Sequence, residues 1–246
     1  MKRWLSSVAV FGILIMLAPA VRSEVYMDYD FSGGLVWQVG GFEVYDIMVR
    51  GEVAGQARVD YGQLTMLDQP AIRLTWNESW TDAQGVSAST DVDTKMLASD
   101  LTALLTSRKD TVGDDEWIYE GNFAGEDLTI GYYLPGEAER QEYVVNRPGR
   151  ILDASILPLI LRNIPFENNN FVTLTVLDTT TQKFFTPIIK INGSELVQTS
   201  STQYDCWTVS VSTNRGGFTA WYTKTENHYL VRIRYSDREI VLNHHS

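Results

Sequence analysis

A chain of 246 residues with twenty Lys and Arg against thirty-one Asp and Glu, a formal net charge of −11, is poorly suited to nucleic acid, because affinity for phosphate backbones comes from clustered cations. Its single cysteine, Cys206, excludes an intramolecular disulfide in any redox compartment. The length suits one large all-β domain, and packing alone must hold that domain together.

The first elements in chain order concern export. Lys2 and Arg3 precede the apolar run WLSSVAVFGILIMLAPA, Trp4 to Ala20, which closes on a small-x-small pair at Ala18 and Ala20. That order reads as a secretory signal peptide over residues 1–20, with cleavage there or as late as residue 23. Residues 24–246 then form a single β-rich domain delivered to the periplasm, with no stable membrane span once the leader is gone. The alternative is an uncleaved anchor, since the apolar run approaches the length that crosses a bilayer. No cysteine precedes Cys206, so a lipid attached at the cleavage point is not expected. Without residues 1–20, eighteen Lys and Arg face thirty-one Asp and Glu, a formal net charge of −13.

Beyond the leader the apolar residues recur with period two, the spacing that puts alternate side chains on one face of a strand. Tyr45, Ile47 and Val49 share a face, GEVAG supplies Gly51 and Gly55 for a reversal, and Ala57, Val59 and Tyr61 resume the pattern as a hairpin. Ile72, Leu74, Trp76 and Trp80 continue it. In KMLASDLTALLTSRK, Leu97, Leu101, Leu104 and Leu105 fit a helix while Leu101, Ala103 and Leu105 alternate; the reading leans to strand. Leu128, Ile130, Tyr132 and Leu134 form a further strand.

The exception is RILDASILPLILRNIPFE, from Arg150. Ser155 is placed to cap a helix, Pro158 falls within its first turn, and Ile164-Pro165 ends it. So apolar a helix must be buried. After it come Val172, Leu174 and Val176; then PIIKI and SELVQT, with Asn192-Gly193 suiting a type I′ hairpin turn between them; then Trp207, Val209 and Val211. The stretch from Phe218 to Leu242 reads as wall. After the polar turn TKTEN, alternation puts Tyr229, Val231, Ile233 and Tyr235 on one face and Leu230, Arg232 and Arg234 on the other. Cys206, beside Trp207 and Val209, reads as a core filler. No fixed-period repeat or interdomain linker is visible. The expected fold is mainly β: a single antiparallel curved sheet or half-open β-barrel, with the short apolar helix packed on its concave face.

Taken together, the hairpin VYDIMVRGEVAGQARVDY, the central ILDASILPLILRNIPFE and the late series YDCWTVSV, FTAWYTKTENHYLVRIRY and EIVL resemble the bacterial domain of unknown function 3108 family. The likeness runs from Val44 to Leu242. It implies an exported, predominantly antiparallel protein, similar in fold to the curved barrels of periplasmic lipoprotein carriers. It carries over no catalytic residue, and a fold-level analogy says little about activity.

The chemistry-bearing residues are sparse. His228 is the one histidine before the terminal pair His244 and His245, no G-x-S-x-G elbow occurs, and His228 reads as a turn or strand-edge residue. Asp114, Asp115 and Glu116, and the alternating Asp91 and Asp93, lack the ligand order of a calcium loop and read as solvated. No His or Cys pair stands at metal-ligand spacing. No catalytic, cofactor-binding or metal-binding residue is therefore assigned. The leading expectation is a non-enzymatic periplasmic protein that binds or carries an amphipathic, lipid-like envelope molecule. Trp76, Trp80 and Trp221 would line its cavity, and Ile156, Leu157, Ile160 and Phe166 would plug it. Arg232 and Arg234 would receive a head group, joined by Arg147 and Arg150 only if the fold brings them close. An ordinary filled core is the competing view of the same aromatic residues. An envelope scaffold that engages a protein partner through exposed strand edges, and an envelope hydrolase built on His228, are the other function classes.

Overall fold

The computed structural model describes residues 27–246 except 30, 32–34, 36–38, 126, 138, 147–149, 169–170 and 214–215. The expected signal peptide and Arg147 lie outside the described residues. In chain order the strands are β1 (Met27–Asp28), β2 (Phe42–Val49), β3 (Glu52–Met66), β4 (Gln69–Thr81), β5 (Ser87–Leu97), β6 (Ala103–Val112), β7 (Asp115–Asn122), β8 (Asp127–Tyr133), β9 (Gln141–Asn146) and β10 (Leu152–Asp153). The helical turn α1 (Leu157–Ile160) follows, and then β11 (Phe171–Thr173), β12 (Val176–Asp178), β13 (Lys183–Phe185), β14 (Ile188–Gln198), β15 (Gln203–Thr213), β16 (Gly216–Thr223), β17 (Leu230–Arg234) and β18 (Glu239–His245).

Fifteen of these strands form one sheet, in the order β1-β11-β14-β15-β16-β17-β18-β2-β3-β4-β5-β6-β7-β8-β9, while β10, β12 and β13 make a small second sheet. Within the large sheet only the short β1–β11 pair is parallel. The late strands join the early ones where β18 pairs with β2, and the sheet stays open, with β1 and β9 as its edges. The expected curved antiparallel sheet with a short helix is the observed architecture.

Alternation decides what the inner face holds. Along β2 the exposure alternates residue by residue, so Glu43, Tyr45, Ile47 and Val49 face inward. Tyr45 and Ile47 share one packed cluster with Val59, Leu74 and Trp76 of the neighbouring strands, Ile233 and Ile240 of the late strands, and Ile156, Leu157, Leu159, Ile160 and Leu161 of the helical segment. Leu157, Pro158, Leu159 and Ile160 are all buried. The Tyr222 hydroxyl donates to the Pro158 carbonyl at 2.8 Å, tying the helix to β16.

Four local readings change. The helical segment is capped by Asp153, whose side chain accepts from the Ser155 N–H at 2.8 Å; Ser155 itself is not the cap. In GEVAG the reversal uses Arg50 and Gly51, with φ of 54° and 85°, as a two-residue hairpin loop prefers. Gly55 serves contact instead, since a Cβ there would lie 2.0 Å from the Ser79 carbonyl oxygen. Asn192-Gly193 is no hairpin turn: β14 runs through it, both flanks pair with β15, and the register shifts between Ile191 and Ser194. Gly193 takes a φ of 107°, so the positive φ that marks a turn serves a bulge here. The reversal comes later, where the Thr199 N–H donates to the Thr202 carbonyl at 2.9 Å.

The fourth change is in β17. Trp221 pairs with Arg232 but Tyr222 pairs with Leu230, leaving Val231 as an extra residue. Such a bulge breaks strict alternation. Leu230 and Ile233 join the inner cluster, while Val231 packs with Trp221, Cys206 and Val197 in a separate small cluster. The ambiguous leucine segment resolves as the end of β5, a turn, and the start of β6. Its helical spacing has a cause: Leu101, at φ 61°, donates to the Leu97 carbonyl at 3.0 Å, closing one isolated helical-type turn.

Candidate functional site

The structure splits the expected lining residues between the two sides of the sheet. Ile156, Leu157, Ile160, Phe166 and Trp76 are buried together on the inner side, and Trp80 packs against the same cluster. Tyr45 stacks on Trp76 with ring centroids 6.1 Å apart. The helix therefore fills the concave side with side chains, and the groove described below is lined by none of Ile156, Leu157 and Ile160. Trp221 belongs to the opposite side. Its partner across the strand pair, Arg232, shares that face, and the guanidinium carbons of Arg232 and Arg234 lie 5.7 and 5.1 Å from its ring centre. The Trp221 indole N–H donates to Glu195. Arg150 does not join them: it donates to the Tyr29 carbonyl at 2.8 Å and lies over the Phe31 ring.

A groove of about 620 Å³ runs along this outer face. Outward residues of adjacent strands make one wall: Met48 on β2, Arg232 and Arg234 on β17, and Val241 on β18. Their adjacency follows from register, since Arg232 pairs with Val241 and Glu239 with Met48. The tip of the β14–β15 hairpin contributes Gln198, Thr199 and Ser200, held down by an Arg232 guanidinium N–H that donates to the Gln198 carbonyl at 3.0 Å. The turns after β2 and β17 supply Arg50 and Arg238, and the start of β3 supplies Val53. Four arginines thus border an apolar strip on a protein whose net charge is −11.

Arg238 links the two sides. Its Nη2–H donates to Glu78 at 3.0 Å, and its guanidinium lies 4.4 Å from the Trp80 ring centre and 4.7 Å from that of Tyr235. Burial raises the Glu78 pKa above the usual carboxylate value, with Arg238 opposing the rise. Cys206, beneath Trp221, has its thiol pKa pushed up to about 12 by burial, with the Asp205 charge adding to the rise, so it is held as an inert thiol.

A second polar group lies inside. Arg162, at 1% exposure, donates to Glu43, at 2% exposure, over 2.7 Å and to the Tyr61 hydroxyl over 2.6 Å. Tyr45 and Tyr61 donate to the other Glu43 oxygen, and Arg162 also donates to the Asn227 carbonyl. Burial works against the Arg162 charge, but Tyr61, Glu43 and Tyr45 outweigh it, and its pKa is raised. His228 sits beside this group in the turn before β17, its Nδ1–H donating to the Arg162 carbonyl at 2.9 Å. Arg162 was open to detection as the one charge within LPLILRNIP, and Glu43 as a carboxylate in phase with Tyr45, Ile47 and Val49. Arg238, in a turn, carries no such signal. Among the described residues no group of three or more His, Cys, Asp or Glu could hold a metal ion, and no helix is long and apolar enough to cross a membrane.

Comparison with known proteins adds a family and a fold. The family described as a protein of unknown function (DUF3108) matches residues 44–238. Among curated proteins none matches the sequence. A crystal structure of a β-barrel-like protein of domain of unknown function DUF1849, from Brucella abortus, is similar with a TM-score of 0.54 at 10% identity. The match covers 85% of this chain and 98% of that one.

Proposed function

This chain belongs to the family of proteins of unknown function DUF3108, and we propose that it is a non-enzymatic, exported protein that binds an amphipathic, lipid-like molecule of the cell envelope. The reading rests on the outer groove, whose volume of about 620 Å³ falls in the roughly 300–1,000 Å³ range of small-molecule sites. It also joins apolar Met48, Val53 and Val241 to arginines. The filled inner side favours a guest held on the outside of the sheet over one enclosed by it. His228, the histidine a hydrolase would need, is turned to a structural hydrogen bond with the Arg162 carbonyl.

Two measurements test this. Organic extraction of the purified protein followed by mass spectrometry should return a co-purifying amphiphile, and a fluorescent fatty acid should bind saturably; the absence of both would end the reading. Osmotic shock should release the protein with an N-terminus between residues 21 and 24, whereas a membrane-bound form retaining residues 1–20 would identify an anchor. The scaffold alternative keeps one observation of its own. Edge strand β9 exposes Tyr143 at 50% and Val144 at 57%, and unpaired edges recruit further strands. Crosslinking in intact cells that returns one protein through β9 would favour it.

A further inference from the structure

Resting on the binding reading above, we infer that the outer groove selects a single-chain amphiphile with an oxyanion head, a carboxylate or a phosphate, and that Arg232 and Arg238 rather than Arg234 recognise it. The assignment comes from counting donors and acceptors. The groove's three carboxylates are already engaged. Asp46 accepts from the Asn243 amide at 2.9 and 3.1 Å, Glu239 accepts from Arg234, and Asp237 accepts from Arg238 at 3.2 Å.

The donors are not all matched. Arg232 gives one N–H to Gln198, and its Nε lies 3.9 Å from Glu239, beyond hydrogen-bond reach. Arg238 gives N–H groups to Glu78 and Asp237. In both residues the Nε is buried and has no hydrogen-bond partner. Buried donors in folded proteins are almost always met by an acceptor, and here both unmet donors belong to arginines that line one groove. Counting Glu78 on Arg238, the four arginines of this lining are equalled in number by four carboxylates, so the preference for an anion rests on the guanidinium donors and not on net charge. Guanidinium groups pre-positioned by other bonds bind planar or tetrahedral oxyanions with less loss of freedom than a flexible cation. Met48, Val53 and Val241 offer the tail its apolar contact.

The test uses the purified protein and four probes with the same twelve-carbon tail: dodecanoate, dodecyl phosphate, dodecyltrimethylammonium and dodecyl maltoside, titrated calorimetrically below their micelle concentrations. The two anions should bind, and the cationic and uncharged probes should bind at least roughly tenfold more weakly. Arg232→Gln should weaken dodecanoate roughly tenfold, while the double variant Arg234→Gln/Glu239→Gln, which removes that pair without stranding its carboxylate, leaves it within about twofold. Because Arg238→Gln strands Glu78, the double variant Glu78→Gln/Arg238→Gln is compared with Glu78→Gln alone, and the double should again bind the anions more weakly. Equal binding of all four probes overturns the oxyanion assignment while leaving the amphiphile reading intact. Binding of none removes both. Acetate or inorganic phosphate binding as tightly as the tailed probes identifies a free-anion site and overturns the amphiphile. A loss in Arg234→Gln/Glu239→Gln equal to that in Arg232→Gln overturns the residue assignment.

Discussion

The two sides of this sheet treat buried charge in opposite ways. On the inner side the Arg162–Glu43 pair sits among apolar residues with its bonds made within the protein: two tyrosine hydroxyls and Arg162 converge on one carboxylate. On the outer side Arg232 and Arg238 keep donors that nothing in the protein accepts. Desolvated ions are tolerated only when paired and hydrogen-bonded, so the inner group reads as structure. The outer group is held in place yet incomplete, which is how a binding surface differs from a core.

The comparison breaks first at Glu43. Glu43→Gln should remove the buried Glu43 counter-charge from Arg162 and lower unfolding stability by about 3–5 kcal/mol, measured by urea denaturation. A loss below about 1 kcal/mol would mean that water reaches the pair. Next in size, Ile160→Ala should reduce stability by about 2–5 kcal/mol, because the Ile160 side chain is fully buried in the inner cluster and its truncation leaves a void; a near-neutral result would mean an inner chamber already existed. A pH series sharpens the border between the sides at Glu78. Its native pKa is raised, by burial first, so the native state holds that proton more tightly than the unfolded state. The resulting stability is complete below the unfolded pKa and is lost as pH rises through the native one. Glu78→Gln cannot titrate there, so wild-type stability should decline relative to the variant as pH rises above the ordinary carboxylate value. A constant difference in urea midpoints would show that Glu78 is not perturbed. Smallest is Arg234→Ala on the outer side, half-exposed and paired with Glu239, which should change stability by less than about 1 kcal/mol.

Particular residues show where reading the sequence worked. Tyr45, Ile47 and Val49, with Ala57, Val59 and Tyr61, announced a hairpin because a half-buried strand must alternate. The run around Pro158 announced a buried helix because it is continuously apolar, with a proline tolerated in a first helical turn and Ile164-Pro165 to end it. Asn192-Gly193 misled because positive φ is a property of the residue pair, while turn or bulge depends on what the flanking strands pair with. Val231 misled for a related reason: one extra residue opposite Trp221 resets the phase of everything before it. Of the expected site, Arg232 and Trp221 do meet, since register makes them neighbours, whereas Trp76 and Trp80 fall on the other side of the sheet.

Local residue pattern alone determined the β class, the hairpin at Gly51, the buried helix and the acidic surface, because each follows from spacing within a few residues. Which side each tryptophan faces, that the helix fills its space, and that Arg238 joins Arg232 at one groove were decided only by tertiary structure. Those facts depend on pairings such as β18 with β2, between segments far apart in the chain, and on bulges whose placement depends on the partner strand.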